Sequence, residues 1–286
     1  MDNVYLNVEF INDTSTNQHI EINEDREPYV LPDPNNYYIA IDRFNITHCL
    51  FPLFEHSKTL TVKVIRRSDS VSDTTDLDLS ASLDADSFLY DLAPFVTAFN
   101  TALGTSVVVL GGTTGPTLSL DKDIKSTLDF TGSDANFVDD YYIELNEPLY
   151  AIFNTFPYQN IVFQQLYFRL LTTANITTNE KCNFMPVSHI TVKTSTIPVV
   201  YEMKNSARNT INMLTDFEIS GRYSEIMNDV NYTSTEGQYR FHDMSSSGSF
   251  NKVNLSFHFN TYNHNEKPLY LLSGGSCSVK LYFKRK

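Results

Sequence analysis

Apolar and polar residues alternate along much of this chain with the two-residue period of strands that have one dry and one wet face. Val253, Leu255, Phe257 and Phe259 alternate with Asn254, Ser256, His258 and Asn260, and Cys277, Val279, Leu281 and Phe283 share one face of a later run. The same pattern opens the sequence, where Val4, Leu6, Val8 and Phe10 alternate with Tyr5, Asn7, Glu9 and Ile11. Further strands are expected at Tyr37 to Ile46, across Leu60, Val62 and Val64, and at Asn160 to Thr172, Val187 to Ser195, Met213 to Ile219 and Tyr239 to Met244. Pro28, Pro32 and Pro34 keep their segment out of a central ladder. Leu269 to Leu272 is separated from the last run by Ser273-Gly274-Gly275, which reads as a turn. About ten strands fit two packed sheets, so the fold class is all-β in the main, a jelly-roll β-sandwich. A last run lined by apolar residues is expected inside a sheet, because at an edge it would be a template for unwanted pairing.

Two segments break the pattern. Phe88, Leu92, Phe95, Phe99 and Leu103 are spaced as one face of a helix, with Asp86 as its N-cap, Pro94 near its start and Gly104 as its stop. Asn146-Glu147-Pro148 reads as the start of a short helix with Leu149, Ile152, Phe153 and Phe156 on its apolar side, ended by Pro157. Charge marks the same region. Residues 68–147 hold 15 Asp or Glu against Lys122 and Lys125, a balance of −13 that equals the net charge of all 286 residues. The expected division is therefore a jelly-roll core from 1–67 and 148–286, carrying an acidic, helix-containing insertion at 68–147 that faces solvent.

Composition narrows the function. The 20 Phe and 17 Tyr, with no Trp, suit pleated, half-buried surfaces. The N-terminus lacks the charge and apolar core of a signal peptide, and no apolar run is read as long enough to span a bilayer. Cys49, Cys182 and Cys277 are far apart and read as reduced, structural thiols. The acidic balance argues against broad nucleic-acid binding, which needs phosphate neutralisation by Lys and Arg. The sequons at Asn45, Asn175, Asn231 and Asn254 would matter only in a secreted protein.

The search for chemistry finds surfaces rather than a reaction centre. The pairs Asp76/Asp78, Asp84/Asp86, Asp121/Asp123 and Asp139/Asp140 lack the spacing of a calcium loop and read as solvated. Ser273-Gly-Gly-Ser lacks the glycine after the serine that a nucleophile elbow needs. The histidines at 19, 48, 56, 189, 242, 258 and 264 show no metal-ligand spacing. No catalytic residue, cofactor or metal is expected. Lys280, Lys284, Arg285 and Lys286 form the one basic cluster, a candidate contact for acidic neighbours or packaged nucleic acid.

Several stretches, taken in order, resemble one family, the minor capsid or penton proteins of polinton-like viruses, adintoviruses and virophages. They are Asn36-Tyr-Tyr-Ile-Ala-Ile-Asp-Arg-Phe-Asn-Ile to Phe51-Pro-Leu-Phe54, the Phe88 to Leu103 segment, Thr194 to Glu202, Met213 to Glu218, Tyr239 to Met244, Pro268 to Leu271 and Val279 to Lys286. The strand at Leu255 to Asn260 departs from the family in carrying Phe257 and Phe259 and no tryptophan. The resemblance implies a jelly roll that forms homopentamers at the five-fold vertices of an icosahedral shell, beside a double-jelly-roll major capsid protein and with a vertex spike or fibre as a further partner. It implies a virion component assembled in the host cytoplasm or nucleus, and no catalytic residues. Two other classes compete. A glycan- or receptor-binding β-sandwich head would also be aromatic and acidic, and a hydrolase on this scaffold would need the clustered histidines or carboxylates that the chain lacks.

Overall fold

The computed structural model describes residues 3–28, 30–55, 58–85, 87–120, 125–153, 156–162, 167–170, 176–181, 187–199, 202–204, 209–218, 229–234, 239–246, 248–261 and 266–286. Two compact units divide the chain. One comprises Met1–Phe51, Val187–Gly221 and Glu225–Lys286, the other Pro52–Pro186 and Arg222–Ser224.

Among the described residues, eight strands of five residues or more frame the first unit: β1 (Val4–Ile11), β2 (Glu21–Asp25), β3 (Tyr37–Leu50), β4 (Val187–Lys193), β5 (Met213–Glu218), β6 (Asp229–Thr233), β7 (Lys252–Thr261) and β8 (Tyr270–Arg285). They pair as two antiparallel sheets, β1-β8-β3-β6 and β2-β7-β4-β5. This interleaved order is that of a jelly roll, two Greek keys wrapped into a sandwich. The alternating positions supply the core. Ile190, Val192, Leu255, Phe257, Phe259, Val279, Leu281 and Phe283 are all buried. Phe44 of β3 meets Phe257 of β7 edge to face at 5.5 Å, a favoured ring geometry that joins one sheet to the other. As expected, the Cys277-to-Phe283 run lies inside its sheet, with Leu281 opposite Leu6 on one side and Ile41 on the other.

The expected turn at Ser273-Gly274-Gly275 is instead part of one continuous strand, Tyr270–Arg285. The register against β3 shifts between Leu271 and Ser276, so these residues form an irregularity in the ladder. Gly275 is required there, because a Cβ would lie 2.8 Å from the Thr47 carbonyl oxygen. A second shift, between Lys280 and Leu281, leaves Asp42 as an extra residue of β3, since Lys280 pairs with Arg43 and Leu281 with Ile41. The expected Tyr239 to Met244 strand reduces to His242–Asp243, paired with β3.

The second unit holds a five-stranded antiparallel sheet in the order Tyr158–Val162, Tyr167–Leu170, Tyr141–Asn146, Thr61–Arg66, Ser72–Asp76. It also holds a three-stranded sheet, Ile176–Lys181, Lys125–Asp129 and Thr117–Leu120, the short pair Phe54–Glu55 and Phe88–Leu89, and the helices α1 (Leu92–Val109), α2 (Phe137–Asp140) and α3 (Glu147–Ile152). Helix α1 sends Phe95, Phe99, Leu103 and Val107 into the core with Val62, Val64, Ile143 and Leu145. It differs from expectation at both ends. Asp91 caps it, accepting from the Ala93 amide at 3.0 Å, whereas Asp86 lies outside the described residues. Gly104 does not stop it, because Val107 continues the four-residue apolar spacing and keeps the next turn buried. Pro94 falls in the first turn, where its missing N–H breaks no helical bond. By length and hydropathy this 18-residue helix matches a membrane span, so the reading of no such run is corrected; its phenylalanines are nonetheless buried in the core of its own unit. Helix α3 starts as expected, with Asn146 accepting from the Leu149 amide at 3.2 Å and Pro148 in the first turn.

The units divide at 51/52 and 186/187, not at the 67/68 and 147/148 expected from charge. Thr61–Arg66, assigned to the jelly roll by its alternation, pairs on both sides within the second unit, with Tyr141–Asn146 and Ser72–Asp76.

Candidate assembly surface

The two-residue period of β8 that buries Leu281 and Phe283 sends Lys280, Tyr282 and Lys284 to the opposite face. Five aromatic rings gather there. Tyr5 of β1 stacks on Tyr282 at 4.9 Å with planes 12° apart. Tyr282 in turn lies 5.3 Å from Tyr239 and 5.8 Å from Phe241, and Phe241 lies 6.2 Å from Tyr38 of β3. Lysines lie on these rings at cation–π distance: Lys280 4.2 Å from the centre of Tyr5, Lys284 5.3 Å from Phe241 and Lys286 5.2 Å from Tyr38. Tyr5 and Phe241 are 50% and 36% exposed, so the row of rings is open to a partner.

Asp42 ties this surface together. As the extra residue of its bulge it points its carboxylate outward, accepts from the Tyr239 hydroxyl at 2.7 Å and sits 3.0 Å from Lys280 Nζ. Burial opposes its charge, but the bonds from Tyr239 and Lys280 prevail and hold the carboxyl below the usual range. The hydrogen bond to Asp42 and, secondly, burial push the Tyr239 phenol up to about 12. Of the four basic residues singled out in the sequence, Lys280 and Lys286 are therefore paired, the latter with Asp243 at 2.9 Å. Lys284 and Arg285 are exposed, and among the described residues neither pairs with a carboxylate. The rings escaped sequence reading, although Tyr282 between Lys280 and Lys284, and Tyr5 before Asn7 and Glu9, are aromatic residues on wet strand faces, which is the signal that would have found them.

Other candidates resolve into local structure. Asp78 accepts from the Ser80 hydroxyl at 2.6 Å, Asp129 from the Thr131 amide at 2.8 Å, and Asp84 from the Phe88 amide at 2.8 Å, so these carboxylates cap turns. Asp121 and Asp123 lie outside the described residues, as do Cys182, His56 and His264. Among the described residues no group of three or more His, Cys, Asp or Glu is placed to hold a metal ion. Cys49 and Cys277 are buried cysteines, and burial pushes the Cys49 thiol up to about 12 and that of Cys277 further. Two groupings were invisible in the sequence. His19 and His258 meet edge to face at 5.3 Å, and in the second unit the fully buried Glu144 is held by Arg169 at 2.7 Å and Lys63 at 3.5 Å.

A jelly roll with a large elaboration between its third and fourth strands, and an aromatic and cationic outer face, is the build of a structural protein that works by contact. Comparison with known proteins shows what the chain is similar to. Residues 177–285, the span of β4 to β8, match the family model described as Sputnik minor capsid protein V18/19. Among solved structures, the crystal structure of the mavirus penton protein superposes with a TM-score of 0.84 at 22% identity, covering all of both chains. The cryo-EM structure of the Sputnik virophage gives a TM-score of 0.75 at 14% identity, covering 100% of this chain and 98% of that one. No curated protein sequence matches. The structural likenesses establish the fold, and with the family match they support a virophage-type minor capsid, or penton, protein, the resemblance first carried by the sequence. They do not favour the receptor-binding head.

Proposed function

We propose that the protein is a penton subunit that forms homopentamers at the five-fold vertices of an icosahedral virion, beside the major capsid protein, and that it acts by contact rather than catalysis. The observation that carries this is the β1-β8-β3-β6 and β2-β7-β4-β5 order, whose strands β4 to β8 lie within the minor-capsid family match. Lys280, Lys284, Arg285 and Lys286 serve as an assembly contact, and the acidic 68–147 region is an outward elaboration that can carry a spike or fibre. Light scattering on the purified protein tests the central claim. A mass of five subunits is expected; a monomer at all concentrations, with affinity for glycan, overturns it.

A further inference from the structure

Lys284 and Arg285 are exposed, and Lys284 lies 5.3 Å from the open ring of Phe241. Lys280 meets Asp42 and Lys286 meets Asp243, and among the described residues Lys284 meets no carboxylate, so this face carries a positive charge that they leave unneutralised. The chain itself carries the complement. In the second unit a groove of about 720 Å³ runs along α1, lined by Asp76, Asp78 and Asp91 and by small side chains such as Thr97, Ala98 and Thr101. Among the described residues none of these three carboxylates is paired with a lysine or arginine. The 68–147 stretch of sequence to which these three belong has a balance of −13.

We propose that the ring-and-lysine face of β8 is one half of a head-to-tail interface whose other half is the acidic 68–147 surface of a second copy of this chain. Two different, oppositely charged patches on one chain make a heterologous contact, and such contacts close into rings when the rotation between copies permits. A patch that paired with itself would set Lys284 against Lys284, and like charges so placed are repelled. The rings give the contact apolar area at small entropic cost, while the charges set its direction and partner. This inference rests on the homopentamer proposed above.

The test uses rings made from an equimolar mixture of isotopically heavy and light full-length chains, treated with a carbodiimide that joins amines to carboxylates lying in contact. Mixed heavy-light links from Lys284 or Lys286 to aspartates of 68–147 are expected. In parallel, K284E/R285E should fold with an unchanged circular dichroism spectrum and raise the ring dissociation concentration by about a hundredfold. Adding D76K/D78K to that variant should restore most of the loss. Rings that form normally with K284E/R285E, or whose Lys284 links run only to other regions or appear only when major capsid protein is present, overturn the assignment while leaving the homopentamer intact. A wild-type chain that never forms rings overturns the homopentamer and this contact with it.

Discussion

Replacing Leu281 by aspartate strikes the jelly roll where it has least room to adjust. The side chain is fully buried, on the strand that lies between β1 and β3 and opposite Leu6 and Ile41. Truncating such a leucine to alanine costs about 2–5 kcal/mol in lost transfer energy and cavity. Aspartate adds the desolvation of a carboxyl among aliphatic neighbours, several kcal/mol more even if it is protonated. Set against a typical domain stability of about 5–15 kcal/mol, the sum removes most or all of it. L281D should therefore accumulate as insoluble protein, whereas L281A should remain soluble with a lowered unfolding midpoint. Arg285→Asp, four residues along the same strand but exposed, should fold normally. Soluble yield, far-ultraviolet circular dichroism and thermal unfolding of the three variants decide the matter. Soluble L281D that still assembles would refute the placement of this strand at the heart of the fold.

Three further outcomes are expected. Neutralising Lys284, Arg285 and Lys286 to glutamine should leave the melting curve within about 0.5 kcal/mol of wild type but reduce particle yield in co-assembly with major capsid protein; unchanged yield would remove the tail from the contact. His258 is held at about 4, by burial and then by Lys193, against 6.5 for a free histidine. The unfolded chain thus binds more protons between these values, and stability should fall as pH drops through that window, by at most about 2 kcal/mol between pH 7 and 5 because the ring is part exposed. Chemical denaturation at the two pH values should show this slope, and an equal slope in H258N would assign it elsewhere. Gly275→Ala places a Cβ 2.8 Å from the Thr47 carbonyl and 3.0 Å from that of Leu272, and should cost about 1–3 kcal/mol in the same assay.

The jelly roll was legible wherever one face of a strand is dry and the other wet, since alternation then reports burial directly, as it does along Val253 to Asn260 and Cys277 to Phe283. What alternation cannot report is the partner. Thr61–Arg66 shows a clean strand pattern, but the sequence contains nothing that says whether it pairs with β3 or with Tyr141–Asn146. Bulges are equally silent: Asp42 reads as one more polar position, and only the register shift explains why its carboxylate reaches Tyr239 and Lys280. The helix stop failed for a related reason. Glycine weakens a helix by about 1 kcal/mol, less than the burial of Val107 and Leu110 returns. The candidate assembly surface was half visible, its lysines through their clustering, its aromatic rings not at all, because three strands and a loop bring them together.

The partnership of β1 with β8 also orders events in time. The Asn12 side-chain amide donates to the Leu271 carbonyl across 259 residues of chain, and β1 is paired along its whole length by a strand synthesised last of the eight. The second unit is nearly continuous in sequence, from Pro52 to Pro186, and closes over shorter loops, so it is free to fold while the sandwich still lacks its central strand. Lys280, Lys284 and Lys286 ride on that same strand, so the contact proposed for them cannot form until β8 has been made. The order of the strands would thereby make that contact the last part of the sandwich to be completed.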